Sequence, residues 1–260
     1  MTATHPTAAA GFGRAADAYE RGRPGYPQAA VDHLARELGL REGRTVLDLA
    51  AGTGKLTRLL AATGANVIAV EPVPAMRAIL AAAVASADVR DGTAEAIPAA
   101  AGTVDALTVA QAFHWFDAAS AVAEIHRVLR PGGGLGLVWN TFDTSAGWVA
   151  ALVALVGAYR RGEPQYGRSG WREVLEASRL FDPIAEQTFD LVQELSTTDL
   201  LARIGSTSFI ATLPDADRDR LFGEVRALVD GRPEPLQLPY RTDTFVTRAR
   251  EHGRSGAPTP

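Results

Sequence analysis

The segment Thr45–Lys55, TVLDLAAGTGK, reads as a short apolar strand, a glycine turn and the start of a helix. Val46, Leu47 and Leu49 form the strand, Gly52 and Gly54 permit close backbone approach, and Leu56, Leu59 and Leu60 recur at helical spacing. Asp48 stands near the strand's end, just ahead of the turn. In a dinucleotide site the helix N-terminus meets pyrophosphate, which this carboxylate would repel. A ligand with a cation near the turn suits Asp48 better. A phosphate-binding P-loop needs glycine where Leu49 stands and Ser or Thr where Leu56 stands, so that reading fails. The dehydrogenase fingerprint meets Thr57 in place of its third glycine and Ala50 where nucleotide sites often have glycine, and it stays a minor alternative.

The same order continues outward. Asn66–Val70 is a second apolar strand that delivers Glu71, near the spacing at which a carboxylate accepts both ribose hydroxyls. Taken alone Glu71 is equally a solvated carboxylate at a strand end; after Asp48 and the glycine turn the ribose reading is preferred. Pro72 and Pro74 stop the strand and open a helix through Met76, Ile79 and Leu80. Strands near 45–50, 66–70, 88–91, 104–109 and 135–139 alternate with helices near 53–63, 74–86 and 119–130, the pattern of a doubly wound α/β parallel sheet. Ligands of such a sheet bind at the carboxyl ends of its strands. Before it, Phe12, Ala16 and Tyr19 mark a short helix, and Val31, Leu34 and Leu38 form the stripe of a second, which Pro27 opens and Gly39 closes. After Asn140 come an apolar helix over 148–159, a breaker-rich loop over 162–170, a strand around Phe189–Gln193, helices near 197–209 and 215–230, and a last strand over 236–247.

Composition removes several classes of function. With 260 residues and 47% hydrophobic content, one domain with a large core is expected, spanning the whole chain. Within it the expected divisions are N-terminal helices over 1–40, a ligand-binding core over 41–140, a substrate cap with the terminal strands over 141–250, and a frayed tail over 251–260. Lys and Arg number 26 against 30 Asp and Glu, so no basic footprint for nucleic acid exists. No leader-like apolar run and no 18-residue apolar stretch occurs, which points to a cytoplasmic protein without membrane insertion. The chain has no cysteine, which excludes a thiolate nucleophile and a cysteine-held iron-sulfur cluster. Its five histidines lack metal-ligand spacing, so no metal is expected. The sequence carries no signal of oligomeric state.

The blocks DLAAGTG, VIAVEP, DGTAEAIP, VDALTVAQAFHWFD and EIHRVLRPGGGLGLVWN, in this order, resemble the class I S-adenosylmethionine-dependent methyltransferases. The similarity is to the branch that includes ubiquinone-pathway and trans-aconitate methyltransferases, and AADAYERGRPGYP and LPYRTDTF look like that branch too. S-adenosylmethionine carries an ammonium and a sulfonium, in keeping with Asp48. The resemblance implies a Rossmann-like seven-stranded sheet with an antiparallel last strand, helical cap elements, a lid formed by the N-terminal helices over 1–40, and methyl transfer to a small molecule. It further implies cofactor contacts at Tyr19, Arg23, Asp48, Ala50, Gly52, Gly54, Glu71, Pro72, Thr93, Ala94, Ala110 and Gln111. Two departures stand out. Ala50 replaces the usual first glycine of the loop, and Thr93 stands where many relatives have an aspartate for the adenine amino group, so modest cofactor affinity is expected.

Methyl transfer is an in-line displacement at a sulfonium methyl, so alignment and exclusion of water matter more than acid-base help. Positioning supplies up to about 7–11 kcal/mol, whereas a general base supplies about 10²–10⁴-fold in rate. His114, after the fourth strand, is the candidate catalytic base; the alternative is a histidine that bonds a loop carbonyl or the cofactor. Trp115 and Phe116 either wall a methyl channel or anchor a loop. Tyr26, Trp139, Asn140 and Tyr240 are substrate-side candidates, and Arg23 suits a carboxylate of cofactor or substrate. Arg127 and Arg130 fit structural roles at a helix end. The segment Ala110-Gln111-Ala112-Phe113 lacks the Asn/Asp-Pro-Pro-aromatic pattern of amide-nitrogen methylation. Oxygen methylation of a carboxylate or hydroxyl leads, with carbon methylation of an enolisable or phenolic ring and a non-catalytic cofactor-binding protein as alternatives.

Overall fold

The computed structural model describes residues 20, 22–160 and 170–251. A helix α1 (Gln28–Leu38) precedes strand β1 (Thr45–Leu49), and Gly39 ends it in the left-handed conformation, φ 67°. Helix α2 (Lys55–Ala61), β2 (Asn66–Val70), α3 (Pro74–Ala83) and β3 (Asp88–Arg90) follow. The chain then crosses to β4 (Val104–Ala110), a 3₁₀ turn at Phe113–Trp115, α4 (Ala118–Val128) and β5 (Leu129–Phe142). The cap contains α5 (Gly147–Gly157), α6 (Trp171–Ala177), β6 (Ala185–Leu195), α7 (Thr197–Gly205), α8 (Ser208–Ala211) and α9 (Asp215–Val229) before β7 (Leu236–Arg248).

The strands form one seven-stranded sheet in the order β3-β2-β1-β4-β5-β7-β6. β1 to β5 pair in parallel, and β7 runs antiparallel to both β5 and β6. The last strand is antiparallel, as the resemblance implied; three helices, not a tight turn, connect it to β6. Each face is covered. On one, Leu34 and Leu38 of α1 and Leu56 and Leu60 of α2 pack on Val46, Val67 and Val138. On the other, Val122 and Ile125 of α4 and Trp171 and Leu175 of α6 pack on Leu47, Leu107, Leu137 and Trp139. A further cluster around Leu152, Leu200, Ile204, Leu221, Leu238 and Tyr240 is the cap's own core. No helix of the described residues is long and apolar enough to cross a membrane.

Several boundaries differ from the sequence reading. β5 begins at Leu129, well before 135, because Leu129 already pairs with Val104 ahead of a register shift. Arg130 therefore lies in a strand, not late in a helix, and with Arg44 it pairs with the buried Asp105. Arg127 does sit in the last turn of α4, tied to Glu124. The helix expected over 197–209 breaks into α7 and α8, since Thr207 is extended (ψ 128°) at the start of the second. The helix around Phe12–Tyr19 and most of the 162–170 loop and of the tail lie outside the described residues.

Candidate functional site

The strand order reverses between β1 and β4, where open α/β sheets bind their ligands. Ala50, directly after β1, has φ 54°, and Gln111, directly after β4, has φ 58°. Left-handed backbone at a non-glycine residue costs about 1–3 kcal/mol and gathers at functional sites. The cleft between them is lined by Ala50, Ala51, Gly52, Thr53, Lys55 and Leu56 from the turn and by Ala110, Gln111 and Asn140 from the strand ends. Arg23, Pro24 and Tyr26 of the N-terminal segment and Arg203 of the cap complete it. Its described lining holds the cations Arg23, Lys55 and Arg203 and no carboxylate.

Asp48 has a different setting from the one its sequence position led us to expect. It is wholly buried beneath the turn, and its oxygens accept hydrogen bonds from Thr57 Oγ1 (2.6 Å) and Thr108 Oγ1 (3.0 Å). It is absent from the cleft lining. Burial pushes its carboxyl up to about 6, against the lowering effect of the two hydroxyls. Glu71, also buried, staples the turn: Oε2 accepts from the Gly52 amide and Oε1 from the Val73 amide, both at 2.8 Å. Desolvation raises its pKa although these amides and Arg77 oppose it. Each carboxylate oxygen keeps a second lone pair for a ligand hydroxyl. Gly54 serves packing: a Cβ there would come within 2.5 Å of Leu80 Cδ1, so glycine lets α2 start against α3.

The N-terminal segment is strapped across the cleft. Glu20 accepts hydrogen bonds from Thr53 Oγ1 and, at 2.6 Å, from Arg58 Nη2, while its carbonyl accepts from Lys55 Nζ at 2.7 Å. Burial alone would raise the Glu20 pKa, but these bonds and the Lys55 and Arg58 charges outweigh it and hold the carboxyl below its usual range. Further along, Gln193 donates to the Gly22 carbonyl, Arg23 Nε donates to Ser206 Oγ (3.3 Å), and Asn140 Nδ2 donates to the Gly25 carbonyl (2.8 Å). Asn140 in turn accepts from Thr242, which fixes its amide. Tyr19 lies outside the described residues.

His114 sits on the 3₁₀ turn after β4, its ring against Trp115. Desolvation, aided by the charges of Arg23 and Arg160, lowers its pKa to about 4, so the imidazole is neutral near pH 7. The Trp139 indole N–H donates to Nδ1 at 3.4 Å, which places the ring proton on Nε2. In that tautomer Nε2 carries the donor, and His114 is not among the described residues that line the cleft. Trp139 itself is 1% exposed, stacked on Trp171 and absent from the cleft lining, so it meets His114 from the core. Tyr240, also 1% exposed, is likewise absent from that lining: its hydroxyl accepts from Arg203 Nε (3.0 Å) and donates to Gln193 Oε1 (3.1 Å).

The structure thus gathers Arg23, Tyr26, Ala50, Gly52, Ala110, Gln111 and Asn140 at one cleft. Gly54, Glu71, Pro72, Thr93, Ala94 and Trp115 follow strand ends at the same edge without lining it. Sequence reading missed Glu20, Thr53, Lys55 and Arg203. Lys55 was visible beside the glycine turn, whereas Arg203 is one arginine on an amphipathic helix and carried no signal.

Residues 47–137 match the family model described as a methyltransferase domain. An uncharacterized methyltransferase of Mycobacterium tuberculosis is 40% identical over 247 residues, covering 93% of this chain and 97% of that protein. The chain belongs to the class I S-adenosylmethionine-dependent methyltransferases. An uncharacterized methyltransferase-like protein of Schizosaccharomyces pombe is 34% identical over 233 residues, 87% of this chain and 91% of its own. Among solved structures, a putative type II methyltransferase from Anaeromyxobacter dehalogenans shares the fold, with TM-score 0.62 and 25% identity over 88% of this chain and 97% of that one. The cofactor of this methyltransferase is S-adenosylmethionine. The residues present fit it: beside the backbone of the glycine turn, Thr93 Oγ1 is buried with no hydrogen-bond partner among the described residues, an acceptor and donor awaiting a polar ligand.

Proposed function

We propose that this methyltransferase acts on an oxygen of a small acceptor, and most directly on a carboxylate, forming a methyl ester. The observation that carries this reading is the pairing of a cationic cleft with a histidine that has no basic nitrogen to offer. Attack by a hydroxyl or an enolisable carbon needs a proton removed, and His114, with Nδ1 engaged by Trp139, supplies no acceptor for it. A carboxylate is already ionised at pH 7 and needs only orientation. Arg23 and Arg203 attract such an anion, while Lys55 is already paired with Glu20.

S-adenosylmethionine supplies the electrophilic methyl on its sulfonium. In our reading Glu71 holds the ribose hydroxyls, Thr93 and Ala94 flank the adenine, and Gly52, Ala50, Ala110 and Gln111 border the methionine portion. Asp48 lends negative potential beneath the turn. Tyr26 and Asn140 close the acceptor side, and the strap at Glu20–Tyr26 keeps water from the reacting centre. The region 141–250 serves as the acceptor-side cap of one catalytic domain, which its joining the same sheet through β6 and β7 supports.

The test is incubation with cofactor and a pool of small carboxylic acids and hydroxyl compounds, with detection of products one methyl heavier by mass spectrometry. Mild alkali should then release methanol. Alkali-stable products with carbon-bound methyl would refute the oxygen assignment, and binding without any product would favour a non-catalytic role.

A further inference from the structure

Arg203 is a buried guanidinium with no counter-ion among the described residues. Its residue is 6% exposed, its Nε is spent on the Tyr240 hydroxyl, and its guanidinium lies over the Phe142 ring at 5.0 Å and the Tyr240 ring at 5.9 Å. Among the described residues no carboxylate comes within 4.0 Å of it, and its two terminal nitrogens make no hydrogen bond. A buried charge costs several kcal/mol unless it is paired, and flanking rings and a neutral hydroxyl offset only part of that. The side chain nevertheless borders the cleft.

Its position is held from several directions. Tyr240 is fixed by Gln193, which also grips the Gly22 carbonyl. Gly22 packs against the backbone of Arg203 so closely that a Cβ there would fall 2.8 Å from its Cα and N. Ser206, one turn on, accepts from Arg23 and donates to the Arg203 carbonyl. A long side chain fixed in this way has lost its rotamer freedom before a ligand arrives, which strengthens an ion pair with a planar oxyanion.

We infer that Arg203 is the acceptor-anchoring residue: its free terminal nitrogens pair with a carboxylate, or an equivalent anionic oxygen group, of the methyl acceptor. The cap, not the glycine turn, presents it, which assigns the anion to the acceptor and not to the cofactor's own carboxylate. Tyr240 and Gln193 are positioning residues that aim the guanidinium. This inference rests on the proposal of an anionic acceptor but does not need the methylated atom to be the carboxylate oxygen.

The experiment titrates succinate, citrate and benzoate, each beside its neutral methyl ester, into the full-length protein saturated with S-adenosylhomocysteine, and reads binding by calorimetry. At least one acid should bind while its ester does not. Arg203→Gln should weaken that acid by about 10- to 100-fold, the range for a hydrogen bond to a charged group, and leave S-adenosylhomocysteine affinity within about twofold, which also reports that the variant is folded. Arg203→Lys should recover part of the loss, and Tyr240→Phe, which keeps the packing, should lose a smaller part. The inference is overturned if no acid is preferred over its ester, if Arg203→Gln binds the acid as wild type does, or if the variant's principal loss is S-adenosylhomocysteine. Product chemistry separates this from the functional proposal, since an alkali-stable product on an acid that needs Arg203 would sink the ester reading and keep the anchor.

Discussion

Replacing Asp48 by asparagine exposes a cost that the fold bears for the site. Desolvation pushes the buried carboxyl from an ordinary 3.8 up to about 6. A raised folded value means that the protonated form's contribution is complete below the unfolded pKa and is lost as pH climbs through the folded one. A difference of about 2 in pKa corresponds to roughly 3 kcal/mol, and about half of that falls between pH 5 and pH 8. Asparagine matches the shape, stays neutral throughout, and meets two threonine hydroxyls able to donate or accept. The stability of Asp48→Asn relative to wild type should therefore improve by about 1–2 kcal/mol from pH 5 to pH 8, read from urea unfolding at each pH. The same variant should bind S-adenosylmethionine more weakly, because the potential under the turn is gone. A stability difference that is flat with pH, or that worsens toward pH 8, would refute the claim that an ionised Asp48 is the costly state.

Glu71→Ala removes the acceptor for two backbone amides as well as for ligand hydroxyls, so cofactor affinity should fall by about 1–3 kcal/mol in calorimetry; unchanged affinity would remove Glu71 from the cofactor site. With its pKa near 4, His114 should leave no inflection in kcat/KM between about pH 6 and 8, and His114→Gln should lower kcat less than tenfold; a limb near 6.5 that disappears in the variant would restore the base. The depressed Glu20 pKa makes the strap's ion pairs complete above about 4.5 and lost as pH falls through the folded value. Glu20→Gln at pH 7 should then match acidified wild type in protease cleavage near Gly22–Tyr26, with cofactor restoring protection, and equal cleavage of variant and wild type at pH 7 would count against the latch.

The legible part of the molecule was the part whose chemistry repeats along the chain. Apolar runs bounded by glycine and proline located β1, β2 and β4 closely, because a strand covered on both faces is apolar throughout. The early start of β5 at Leu129 was not visible, because Pro131-Gly132-Gly133 interrupt the apolar run and only the register shift against β4 absorbs them. The cleft's floor was legible for the same reason as the fold: Gly52, Ala110 and Gln111 are strand-end residues of a motif. The opposite wall was not. Arg203, Tyr240 and Gln193 come from separate elements and meet only through packing, and neither burial of Trp139 nor its bond to His114 leaves a trace in local sequence. Trp139 and Tyr240 were expected on the substrate side, yet their large apolar area draws them into the core, where each keeps one polar atom bonded to a neighbour.

That division has a functional consequence. On our proposal the motif-borne half holds the cofactor, while the half assembled by packing selects what is methylated. The strap joins them: Glu20 is bonded to the cofactor turn through Thr53, Lys55 and Arg58, and a few residues later Gly22 and Arg23 touch the cap at Arg203 and Ser206. Ordering the strap on the turn side therefore fixes residues that contact the helix carrying the acceptor's anchor. A ligand that draws the strap in on either side therefore acts on the other's residues, and the two should bind with positive cooperativity, checked by calorimetry of each with and without the other.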